Sequence, residues 1–199
     1  MAKDVTRARG RPRSAAVDQA ILSATSTLMD RVGYHALTVG GVAALADVAK
    51  TTIYRRYPSK PLLVLASLSE AAEAQPQPLP DTGTLREDLI AMARLVREEV
   101  APGSPSAVGA ALIGEASRDP AVAERLRAFA DQRFAQVQPL YARAVRRREV
   151  HAEVDWRVVA ELLGGWIFHA SVISRRTPGD TTIAHVVDLV LAGLEPRPA

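Results

Sequence analysis

The chain has 199 residues, 48% of them hydrophobic and none of them cysteine, with a formal net charge of +3. That length suits one compact domain plus a small second one. The lack of cysteine excludes a disulfide framework, a thiolate zinc site and a cysteine nucleophile, and it fits a reducing compartment.

The charge is unevenly spread. Residues 1–60 hold ten Lys/Arg against four Asp, a net of +6, whereas residues 61–199 are net −3. A basic front on an acidic body points to a polyanionic partner for the first third. No apolar run reaches the roughly 18 residues needed to cross a bilayer. No apolar core follows the basic N-terminus as it would in a signal peptide. The expectation is a soluble cytoplasmic protein with no membrane partner.

Apolar residues recur at three- and four-residue steps, and no window keeps a period of two, so an all-α chain of about nine helices is predicted. Residues 1–13 read as a disordered basic arm. Arg11 and Arg13 flank Pro12 there, either entering a minor groove or forming a solvated tail. A first helix over 14–31 has Val17, Ile21, Ala24, Thr25 and Leu28 on one face. Gly33 follows as a left-handed C-terminal residue. Thr38 is the N-cap of a short second helix, 39–46. A third covers 49–56, and Pro58-Ser59 opens a fourth with Ser59 as its cap.

Two short helices joined by a tight turn, behind a longer first helix, make a helix-turn-helix. Val42, Ala43 and Ala46 face Val48 and Ile53. The first turn of the third helix then presents Lys50, Thr51 and Thr52, whose donors and methyl groups suit base edges in a major groove. Tyr54, Arg55 and Lys60 have the reach for phosphate oxygens, and Thr38 adds a hydroxyl at a helix start.

The stretch LTVGGVAALADVAKTTIYRRYPSKPLLV resembles the DNA-binding domain of the TetR family of transcriptional repressors. Thr38, Val42-Ala43, Val48, Tyr54 and Tyr57-Pro58-Ser59-Lys60 stand at the family's spacing, and the match covers about residues 14–63. Two positions depart from the pattern. Asp47 replaces the turn Gly, and Ala49 replaces a capping Ser, a loss of typically ~0.5–2 kcal/mol. Either Asp47 bends the chain and leaves the helix uncapped, or it caps a longer helix itself. Gly40-Gly41 either lets the backbone approach DNA closely or leaves the second helix loose.

The Pro-rich segment around residues 76–80 reads as a hinge or loop. Thr84 caps a fifth helix over 85–101. A sixth follows over 105–117, and a long seventh over 120–149 that Pro139 should kink or split. The eighth runs from Asp155 to about Ser174, the ninth over 181–194. The resemblance implies a helix-turn-helix domain at 14–60 and a ligand-binding and dimerisation domain at 61–199. It also implies a homodimer on double-stranded operator DNA and a small-molecule effector, with repression the expected outcome. Apolar residues all around the eighth and ninth helices fit a two-fold, four-helix interface. Its candidates are Leu162, Gly165, Ile183, Val187, Val190 and Leu191. Candidate pocket residues are Met92, Leu112, Phe129, Phe134, Tyr141, Trp166 and His169, suggesting a mostly apolar ligand.

Catalysis is not expected. His35, His151, His169 and His185 form no i,i+4 pair, and neither a glycine-rich phosphate loop nor a G-x-S-x-G is present. No cofactor or metal is expected. A helical adaptor that binds protein rather than DNA is the remaining alternative.

Overall fold

The computed structural model describes residues 12–74, 78–101 and 108–193, and among them every regular element is helical. The nine α-helices are α1 (Pro12–Ala36), α2 (Val39–Leu45), α3 (Lys50–Arg56), α4 (Lys60–Ala74), α5 (Leu85–Glu99), α6 (Gly109–Ala116), α7 (Pro120–Arg146), α8 (Trp156–Phe168) and α9 (Asp180–Ala192). Two compact units divide between Glu70 and Ala71, within α4. The boundary expected from sequence fell earlier, at the start of that helix.

In the first unit α1 begins at Pro12, so the expected arm of residues 1–13 lies outside the described residues only up to residue 11. Ile21, Ala24, Thr25 and Met29 turn inward, and Val17 and Leu28 are half-buried. The Thr25 hydroxyl donates back to the Ile21 carbonyl at 2.8 Å, which satisfies a buried polar group within its own helix. Gly33 breaks α1 with φ 72° and ψ 172°. The φ is positive as expected, but this ψ lies outside the left-handed helical basin, in a region open essentially to glycine alone. One further helical turn, Tyr34–Ala36, therefore follows instead of an immediate stop.

The turn between α2 and α3 settles which of two local solutions the chain uses. Asp47 takes φ 51°, so it bends the chain in place of a glycine. The Val48 N–H then bonds to the Ala43 carbonyl at 3.0 Å. Ala49 occupies the N-cap of α3 with no side-chain acceptor, so the helix starts uncapped. At the next helix start, Ser59 does not cap as expected. Its carbonyl accepts from the Leu63 N–H at 3.0 Å, but its Oγ is buried without a partner.

In the second unit α5 packs on α7, α8 and α9, and α6 packs on α7. The core contains Leu89, Ile90, Leu140, Tyr141, Leu163, Ile167, Ile183 and Val187. Thr84 caps α5 by accepting from the Glu87 N–H, and Asp119 caps α7 by accepting from Ala121. Pro139 neither splits nor ends α7. It lies on the exposed face, as does Ala135, so the carbonyl that loses its partner meets water. After Phe168 the α8 ladder widens into a π-helical segment, His169–Ile173, closed by the Ser174 N–H on the His169 carbonyl at 2.8 Å. The last position predicted for α9, Leu194, lies outside the described residues.

A buried carboxylate fixes one corner of this unit. Asp88 is fully buried; its Oδ1 accepts from the Thr82 N–H at 2.7 Å and the Thr82 hydroxyl at 2.8 Å, and its Oδ2 meets Arg147 at 3.3 Å. Burial would raise its pKa, but the Thr82 hydrogen bonds and the Arg147 guanidinium outweigh that and hold it below the usual carboxylate value. The unfolded chain therefore takes up this proton first as pH falls. The stabilisation is present above about pH 4 and is lost as pH drops through the folded-state value.

Asp88→Asn should cost about 2 kcal/mol at pH 7 and flatten the acid limb of the stability curve below about pH 4, measured by urea denaturation across pH. Asp47→Gly should gain about 0.5–1 kcal/mol by removing the positive-φ strain, and Ala49→Ser about 1 kcal/mol by supplying the missing cap, read from the same denaturation midpoints.

Candidate functional site

The first candidate site is the outer face of α2 and α3. Ile53 is fully buried and anchors α3 beside Val42 and Ala43, while Lys50, Thr51, Tyr54 and Arg55 are exposed and Thr52 is half-buried. The seven-residue helix is thus divided into a core face and an outward polar face. Its leading turn carries Lys50, Thr51 and Thr52 with no capping side chain in front of them.

Thr38 is exposed and its Oγ1 accepts from the Gly41 N–H at 3.0 Å, which fixes the start of α2. The two glycines that follow have separate steric roles. A Cβ on Gly40 would stand 2.9 Å from Lys50 Cε and 3.0 Å from its Nζ. The end of the Lys50 side chain therefore lies against the first turn of α2, beside Gly40. A Cβ on Gly41 would stand 3.3 Å from the Thr38 hydroxyl and 3.5 Å from Leu28. Gly40 thus makes room for a candidate contact residue, and Gly41 for the cap.

The neighbouring basic and aromatic residues hold the helix in place. Arg56 turns back to α1, its Nη1 lying 2.6 Å from both carboxylate oxygens of Asp18. Tyr57 is half-buried; burial and the Asp18 carboxylate push its phenol up, so it stays protonated. Lys60 donates to the His35 carbonyl at 3.2 Å and stands 4.5 Å above the Tyr34 ring. The sequence reading assigned Lys60 to phosphate alone. The structure adds a second role for it, closing the corner between α1 and α4, and it adds Asp18 and Arg56, which no local pattern could pair across 38 positions. Arg11 lies outside the described residues. Arg13 belongs to the first turn of α1, and its side chain lies outside them too.

The second candidate site is a cavity of about 530 Å³ in the second unit. Of the candidate pocket residues, Met92, Phe129, Phe134 and Tyr141 line it. Leu112 does not; it is fully buried away from the cavity. Trp166 packs against the core instead, and His169 is exposed at the start of the π segment with its Nδ1 3.4 Å from Ser174 Oγ. Of the three side chains Trp166, Phe168 and His169 around the end of α8, neither Trp166 nor His169 lines the cavity. Only Phe168 reaches the cavity.

Of the expected interface residues, Leu162 is 58% exposed and Gly165 is exposed. Val190 and Leu191 are half-buried. Ile183 and Val187 are fully buried in this unit's own core and offer no surface. Val158 and Leu189, not singled out from the sequence, are exposed and line a shallow groove with Leu162 and Val190. Among the described residues, no group of three or more acidic or histidine side chains could hold a metal ion, and no helix is long and apolar enough to cross a membrane.

Comparison with known proteins agrees with this division. Residues 21–66 match the model for bacterial regulatory proteins of the tetR family, and residues 79–190 match the tetracyclin repressor-like C-terminal domain. The chain is 37% identical over 172 residues to the uncharacterized HTH-type transcriptional regulator Rv1556 of Mycobacterium tuberculosis, covering 86% of this chain and 84% of that protein. It is 32% identical over 185 residues to the DNA-binding transcriptional repressor TetR of Mycobacteroides abscessus, covering 92% and 94%. The crystal structure of the TetR family transcription regulator SCO0332 superposes with a TM-score of 0.77 at 30% identity, over 90% of this chain and 99% of that one. The chain therefore belongs to the TetR family, non-enzymatic regulators of transcription that bind DNA through an N-terminal helix-turn-helix and carry a helical C-terminal domain.

Proposed function

We propose that the protein is a ligand-responsive repressor that binds a palindromic operator as a homodimer and leaves it when a small, mostly apolar effector fills the second unit. The observation that carries the DNA half is the two-sided α3. Ile53 is buried, Arg56 is tied to Asp18, and Lys50, Thr51, Tyr54 and Arg55 face outward. Lys50, Thr51 and Thr52, at the leading end, are the base-reading candidates; Thr38, Tyr54, Arg55 and Lys60 are the positioning ones.

A two-turn helix reads few bases, so a second copy about 34–36 Å away is needed to read both half-sites. The exposed apolar row of Val158, Leu162 and Leu189 supports a second copy against α8 and α9. The apolar cavity supports the effector half. Gly164 and Gly165 line it, and a Cβ at either would meet nothing within 4 Å. A helix-interior glycine costs about 1 kcal/mol relative to alanine, so no packing need inside this chain explains them. They keep space open.

The linkage follows from reciprocity. An effector that favours a conformation of the second unit unsuited to DNA weakens operator binding by the factor by which operator weakens effector binding. Helix α4 carries the chain from one unit into the other and is the element we assign to this coupling.

Titration of the protein against the DNA upstream of its own gene, at several salt concentrations, tests the reading. Specific affinity should fall at least about tenfold between ~50 and ~200 mM salt. Tyr54→Ala should weaken all sequences alike, whereas Lys50→Ala should cost about 1–3 kcal/mol at one position and change the preferred base there. Affinity that is specific for no sequence and insensitive to salt would favour a protein-binding adaptor instead. For the dimer, Leu162→Glu should yield a folded monomer by sedimentation with greatly weakened operator binding. An unchanged dimer would remove α8 from the interface.

A further inference from the structure

The cavity wall carries more chemical information than its apolarity. All three phenylalanines of the chain, Phe129, Phe134 and Phe168, line this one cavity. In a chain only 5% aromatic, that concentration favours flat rings, which stack or pack edge-to-face on phenyl groups.

The charged groups at the cavity cancel. Arg133 Nη2 lies 2.7 Å from each carboxylate oxygen of Glu99. An anionic ligand would have to draw Arg133 away from Glu99, and a cationic one would have to draw Glu99 away from Arg133. Either would leave a partly desolvated charge unpaired. A neutral ligand disturbs neither.

One polar group remains unspent. Tyr141 is 5% exposed and lines the cavity, and its buried hydroxyl has no hydrogen-bond partner. Its ring sits among core side chains and against Trp156, 6.2 Å between centroids, so it has little freedom to turn elsewhere. Burial pushes the phenol up, so it remains an O–H donor throughout the physiological range. Leaving such a donor unpaired is unfavourable, and the fold tolerates it.

Resting on the effector reading above, we propose that the cavity takes a neutral aromatic molecule with one carbonyl-type oxygen, which accepts a hydrogen bond from Tyr141. The rings supply contact area against the three phenylalanines, and the single oxygen sets orientation. The Glu99–Arg133 pair stays closed and acts against charged analogues.

Calorimetric titration of the full-length protein with three shape-related probes tests this. The probes are benzophenone, which has two rings and one carbonyl; diphenylmethane, which has the rings without oxygen; and 4-benzoylbenzoate, which adds a carboxylate. Comparing the ratio of the first two affinities in wild type and in Tyr141→Phe cancels their different hydrophobicity. The substitution should shrink that ratio about tenfold by weakening benzophenone alone, with diphenylmethane unchanged. The carboxylate probe should bind at least tenfold more weakly than benzophenone. Without ligand, Tyr141→Phe should melt no lower than wild type, since it deletes an unpaired buried hydroxyl. A lower melting temperature would mean that the hydroxyl already has a partner and would overturn the proposal. An unchanged ratio with diphenylmethane still bound would overturn the hydrogen-bond assignment and leave the effector cavity standing. Binding of none of the three would remove both. Tighter binding of the carboxylate would overturn the neutrality argument.

Discussion

A seven-residue helix has no stability of its own. Nucleation is unfavourable, and isolated helices shorter than about 12–15 residues are marginal in water. Helix α3 therefore exists only because the first unit holds it, and everything the outer face can do depends on that hold. Ile53 buries its middle. Arg56 reaches from its last turn to Asp18 on α1, with part of that ion pair shielded from solvent. Beyond its end, Lys60 ties the start of α4 to the Tyr34 ring and the His35 carbonyl. The leading end has no such support, because Asp47 bends the chain at positive φ and Ala49 offers no cap. The helix is pinned at its trailing end and loosest where Lys50 and Thr51 begin it. A reading helix can tolerate this arrangement, since DNA phosphates and base edges can supply partners for the unsatisfied N–H groups of that first turn.

The same residues show what was legible in the sequence. The helical period, the Thr38 cap and the order Val48, Ile53, Tyr54, Tyr57 and Lys60 carry local information, and they were enough for the fold and the family. The Asp47 question could be posed but not answered, because both solutions satisfy local rules and only the backbone angle separates them. Asp18–Arg56 was invisible, since no local rule joins residues 38 positions apart. In the second unit the apolar pattern identified helices but overcounted surfaces. On α9, Ile183 and Val187 face inward while Leu189 faces out, and hydrophobicity alone does not say which apolar side belongs to the chain's own core. Trp166 and His169 misled for a related reason. Trp166 packs on the chain's own core and His169 is exposed where the π-helical segment begins, and the apolar pattern shows neither outcome.

The glycines separate into groups by what surrounds them. Gly33 has a backbone conformation that other residues avoid. Gly40 and Gly41 have helical surroundings but close neighbours, the Lys50 side chain in one case and the Thr38 hydroxyl in the other. Gly164 and Gly165 have neither. Gly114 in α6 also has no close neighbour, but Gly164 and Gly165 line the cavity on which Tyr141, with its unpartnered hydroxyl, also stands. Open space beside Gly164 and a residue with an unpartnered hydroxyl thus occur on the lining of one cavity.

That coincidence bears on how such a unit can respond to a ligand at all. A ligand shifts an equilibrium only by its differential affinity for the two states. A tightly packed cavity wall with every polar group satisfied would gain little from occupancy in either state. A wall with an unpaired donor and unfilled space gains a hydrogen bond and contacts that only the occupied state offers. The occupied conformation is then stabilised in proportion to RT ln(1 + [L]/Kd), about 2.7 kcal/mol at a hundredfold excess over Kd. That is comparable to the 1–3 kcal/mol over which allosteric coupling typically operates. The corner built on Asp88, Thr82 and Arg147 is the opposite kind of feature, with each carboxylate oxygen paired, and it serves as fixed scaffold. Within one unit the polar groups thus differ in kind: the Asp88 corner is paired and rigid, whereas the Tyr141 hydroxyl is the one on the cavity lining that our proposal has a bound molecule complete.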